Sequence, residues 1–132
     1  MSPTTVTPVS WDLVIQNLPS GIRSVAEIPD EFEPVPLDLD RVELIETIRG
    51  VFPSVNADDP TWLVANDRSW SIEFNLGATD PIPSFALHVR STQPPLGEIG
   101  RFLGRLGLQA IDPQADSGLC DAEAAAASAK DV

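Results

Sequence analysis

His88 is the only histidine in 132 residues, and it shares an alternating pattern with the charged groups it would need for chemistry. Between Trp70 and Arg90 the polar positions Glu73, Asn75, His88 and Arg90 fall on one side of a two-residue repeat. An imidazole oriented by a carboxylate and backed by a guanidinium suits general acid–base catalysis: His88 would be the base, Glu73 its orienting group and Arg90 the electrophilic stabiliser. Asp12, in an earlier strand-like run, can join the same surface, because side chains on neighbouring strands sit about 5 Å apart. The surface has a second use, as a platform for a partner protein. A sheet face open to water has no walls to exclude it, so docking without catalysis is the expected use and the Glu73, His88, Arg90 enzyme the alternative. Cross-strand charge pairs on a solvated face require neither.

These side chains are positioned by strands. Trp70, Ile72, Phe74 and Leu76 alternate with Ser71, Glu73 and Asn75, and Phe85, Leu87 and Val89 alternate with Ala86, His88 and Arg90. A period of two marks half-buried strands. The Gly, Asp and Pro residues of segment 77–84 supply turn chemistry, so the two runs form an antiparallel hairpin with a loose loop. Trp62-Leu63-Val64-Ala65 pairs ahead of it through the Asn66-Asp67-Arg68-Ser69 turn. Trp11, Leu13 and Ile15 outline a first strand, and Leu108 to Asp112 a short last one stopped by Pro113.

Two helices separate the strands. Asp40 can cap the free amides of a first turn, and Leu44, Ile45, Ile48, Val51 and Phe52 recur at three- and four-residue steps until Pro53. After Pro94-Pro95, Leu96, Ile99, Leu103 and Leu106 form an apolar stripe beside a second one of Gly97, Gly100, Gly104 and Gly107. Glycine inside a helix costs about 1 kcal/mol relative to alanine. The glycine series therefore predicts a helix backbone lying unusually near the sheet or the first helix. The order strand, helix, three strands, helix, strand implies an α+β two-layer sandwich, a mostly antiparallel sheet of about five strands with both helices on one face.

Segment 18–37 carries four prolines and the carboxylates Glu27, Asp30, Glu31 and Glu33, which excludes a continuous helix or a central strand. Its Val25, Ile28, Phe32 and Leu37 are expected to plug gaps in the core as an extended strap. The competing use is an acidic recognition loop, with Asp30, Glu31 and Glu33 as partner-binding residues alongside Asp12, Glu73, Asn75, His88 and Arg90. Residues 1–9 read as a flexible lead-in, 10–113 as one domain, and 114–132 as a flexible alanine-rich tail.

Twenty acidic residues against eight basic give a net charge of −12. That field repels phosphate backbones and anionic membrane surfaces and favours a basic protein as partner, in the manner of an immunity-type inhibitor of a toxin. Self-association through the same face is a further use, since Trp11 or Trp62 could leave an apolar patch there. The acidic groups lack the spacing of a calcium loop, one histidine and one cysteine are poor zinc chemistry, and no glycine-rich phosphate loop follows a strand. No metal or cofactor is expected. The lone Cys120, an N-terminal segment without a signal-like apolar run and the lack of a long apolar stretch suggest a soluble, cytoplasmic protein. The runs 70–77, 84–90 and 106–112, with Trp11-Asp12 opening the first strand, resemble a group of small uncharacterised bacterial proteins. That resemblance implies a shared fold and a bacterial origin, and no activity.

Overall fold

The computed structural model describes residues 9–18, 22, 24–33, 35–92, 95–112 and 118–120. Among these, the strands are β1 (Val9–Ile15), β2 (Trp62–Asn66), β3 (Trp70–Asn75), β4 (Phe85–Ser91), β5 (Ala110–Ile111) and β6 (Leu119–Cys120). They form one sheet in the order β2-β3-β4-β1-β5-β6, with every neighbouring pair antiparallel. Helices α1 (Arg41–Val51) and α2 (Leu96–Leu106) pack on one face, giving the expected α+β sandwich. The sixth strand lies in the segment read from sequence as a free tail. Alanine-rich composition hides it, because Leu119 and Cys120 gain order only by pairing with Ile111 and Ala110, a partnership no local pattern encodes.

The core follows from the alternation. Leu13, Leu63, Phe74 and Leu87 lie in one cross-strand row, and Ala65, Ile72 and Val89 in the next, all buried beneath the helices. From α1, Leu44, Ile48 and Val51 point down, and Phe52 beyond its end meets Trp70, Phe74 and Phe102 edge-on at centroid distances of 5.9, 5.4 and 6.3 Å. Phe102 also meets Phe85 at 6.1 Å and is fully buried, although it falls between the two stripes read from sequence. A helix buries an arc wider than one row of side chains, which admits Phe102 beside Leu103.

The start of α1 and the end of α2 have local causes. The Asp40 carboxylate accepts a hydrogen bond from the Glu43 amide at 3.0 Å, which caps α1. At the end of α2, Gly107 is left-handed (φ 65°, ψ 30°) and the Leu108 amide donates back to the Leu103 carbonyl. The closeness expected of the glycine stripe does not extend to its C-terminal half: Gly100 is buried, but a Cβ on Gly104 or Gly107 would meet nothing within 4 Å. On α1, Gly50 leaves room for the Arg105 guanidinium of α2, which lies 2.7 Å from the place of a Cβ.

The 18–37 strap docks in part by the residues expected, with Ile22 added and Val25 lost. Ile22 is buried and Leu37 packs against the core, Ile28 and Phe32 are half-buried, and Val25 is exposed. Val25 belongs to a short 3-10 turn (Val25–Glu27), held by a reciprocal cap between Ser24 and Glu27. It rests on Gly118, where a Cβ would come within 2.6 Å of its methyl group. Further on, Leu39 bridges Ile82 in the β3–β4 loop, and the Leu37 amide donates to Pro83.

Candidate functional site

The face away from the helices is ruled into cross-strand rows by the register. One row reads Val64, Glu73, His88, Asp12 across β2, β3, β4 and β1. Beside it runs Trp62, Asn75, Ala86, Val14, Ile111, and on its other side Asn66, Ser71, Arg90, Ser10. Odd and even positions separate cleanly, since the buried rows carry almost only apolar groups while these rows are half-buried or exposed.

At the centre of the face His88 is held from two directions. Its Nδ1 lies 2.9 Å from Asp12 Oδ1, and as the carboxylate can only accept, the ring nitrogen donates. The Trp62 indole, reaching over β3, stacks against the imidazole with centroids 5.9 Å apart and planes 23° from parallel. Trp62 therefore belongs to the site although the sequence reading placed it only as a source of apolar surface. No local pattern signals it: Trp62 faces Asn75 on β3, one row along from the Glu73–His88 pair, and its contact with His88 spans the intervening strand.

Asp12, rather than Glu73, orients His88. Glu73 is opposite His88 in register, but among the described residues the ion pairs are Asp12–His88 and Arg49–Glu46. Arg90 sits two residues along β4, opposite Ser71 and Ser10, with no carboxylate paired to it among the described residues. The Asp12–His88 pair supplies the base and orienter of a hydrolytic arrangement, yet the two side chains are 62% and 36% exposed, so water reaches both freely. In such surroundings a contact between charged or polar side chains contributes about 0–1 kcal/mol.

Asn75 lies in the neighbouring row and shares the face. Asp30, Glu31 and Glu33 are exposed on the strap, and no hydrogen bond or ion pair among the described residues joins them to the sheet. Among the described residues, no group of three or more metal-binding side chains is gathered and no helix is long and apolar enough to cross a membrane. Comparison with protein-family models, with curated proteins and with solved structures yields no match.

Proposed function

We propose that this chain is a non-catalytic protein-binding module that presents its open sheet face to a basic partner. The reading rests on the Trp62–His88–Asp12 array, an indole 37% exposed and stacked on an imidazole that a carboxylate holds in place. Tryptophan supplies large contact area at little entropic cost, and the central residues of interfaces are enriched in it. Glu73 adds a second carboxylate in the same row, and the net charge of −12 steers a cationic protein towards it. The exposed Asp30, Glu31 and Glu33 extend the acidic surface without belonging to the face.

The test is capture from a lysate of the source cell at low salt, comparing wild type with Trp62→Ala, Asp12→Asn/Glu73→Gln and Asp30→Asn/Glu31→Gln/Glu33→Gln. A basic protein retained by the wild type, released by salt and lost with the two face variants is the expected result. Loss with the strap variant alone would move the interface off the sheet. Identical capture by all four proteins would refute the reading.

A further inference from the structure

The open face is graded along its strands as well as divided across them. At the end next to segment 77–84, Ala86 is the small residue of the row that Trp62 and Ile111 close on either side. A depression of about 280 Å³ lies there, lined by Val14, Asn75, Ser84 and Gly77 as well as Ala86. One row on, His88 stands between Glu73 and Asp12, and one row further Arg90 stands between Ser71 and Ser10. Along β4 the face therefore reads apolar, acidic, basic, in steps of two residues or about 6.8 Å.

We propose that the partner element seated on this face is an α-helix laid along β4, with an apolar, a basic and an acidic side chain at its positions i, i+4 and i+8. The inference rests on the protein-binding reading above and specifies the partner's chemistry. Side chains four residues apart on a helix stand about 6 Å apart, in a row inclined about 26° to the axis. Three of them span nearly the length from Ala86 to Arg90, and the flexible stem of a lysine or arginine takes up the difference. The apolar residue enters the depression at Ala86. The basic residue stands over His88, one strand spacing from Glu73 on one side and from Asp12 on the other, and so meets two carboxylates. The acidic residue meets Arg90, and a helix running in the direction of β4 also turns its negative C-terminal end that way.

A strand repeats its side chains at the same step, but it would bring unpaired backbone groups to a face whose own backbone is already bonded within the sheet. A helix satisfies its backbone internally. Since α1 and α2 cover the opposite face, a third helix completes a layer on each side of the sheet. The net charge of −12 attracts any cationic peptide, so the order of the three residues is what distinguishes this docking from steering alone. Exchanging the apolar and basic residues would place a charge in the depression and leave the carboxylates facing an apolar side chain.

Two alanine-rich helical peptides of identical composition and net charge test the proposal, one with Leu, Arg and Glu at i, i+4 and i+8, the other with Leu and Arg exchanged. Each is titrated into the full chain at constant ionic strength and followed by backbone amide and indole NMR. Saturable shifts at Trp62, Ala86, His88 and Arg90 are expected with the first peptide, which should bind about tenfold or more tightly than the second. Asp12→Asn/Glu73→Gln should weaken the first peptide about tenfold or more while spectra elsewhere stay native. Arg90→Glu should weaken it too, and replacing the peptide's Glu with Arg should restore binding to that variant. Arg49→Gln should leave binding unchanged. Equal affinity for the two peptides, no saturable binding, or shifts confined to α1, α2 or the strap would overturn the proposal. Failure of the first peptide while the captured protein is still lost with Trp62→Ala would remove the helix and leave the docking face standing; identical capture by all four proteins would remove both.

Discussion

Gly104 and Gly107 belong to one glycine series in the sequence, yet replacing each with alanine should move stability in opposite directions. Gly104 lies inside α2, is exposed, and has nothing within 4 Å of the position a Cβ would take. Alanine there restricts the unfolded chain and adds no clash, which stabilises by about 0.5–1 kcal/mol. Gly107 closes the helix at φ 65°, where an L side chain crowds the following carbonyl at a cost of about 1–2 kcal/mol. The two variants should thus differ by about 2 kcal/mol. Urea unfolding followed by tryptophan fluorescence reads this as midpoints on either side of wild type with an unchanged slope. A destabilised Gly104→Ala would refute the open-space argument, because it would require some group to approach the backbone at that turn. A neutral Gly107→Ala would refute the left-handed cap.

Phe52→Ala should destabilise by about 3–5 kcal/mol, since it removes a fully buried ring in contact with Trp70, Phe74 and Phe102. A loss under about 1 kcal/mol in the same unfolding assay would mean the aromatic cluster is not the centre of the core. Asp59 accepts both the Thr61 hydroxyl at 2.6 Å and the Thr61 amide at 2.9 Å, and these hold its carboxyl below the ordinary value of 3.8. A depressed folded-state pKa adds stability above the unfolded value and loses it as pH falls through the folded one. Asp59→Asn should therefore lower stability at neutral pH and flatten the acid limb below pH 3.8, measured as urea midpoints against pH; an unchanged acid limb would show that the turn does not depend on the charge.

The sandwich was readable because its signals are local. Alternation in 70–76 and 85–91, the Asp40 cap, the stop before Pro53 and the chain order of strands and helices each need only neighbours in sequence. The polar residues of the open face were readable for the same reason, as a period of two assigns sides without knowledge of the partner strand. Phe102 escaped because stripe counting follows one row, and β6 because two residues carry no period.

The sequence by itself determined the fold class, the limits of α1, and which side of each central strand carries Asp12, Glu73, Asn75, His88 and Arg90. Only the tertiary structure decided which of those side chains meet. Choosing Asp12 over Glu73 as the partner of His88 depends on β1 lying beside β4, a pairing across 76 residues of sequence. The stacking of Trp62 on His88 has the same origin. Strand order and register set such distances through the packing of the whole sheet, and no single segment's preference contains them.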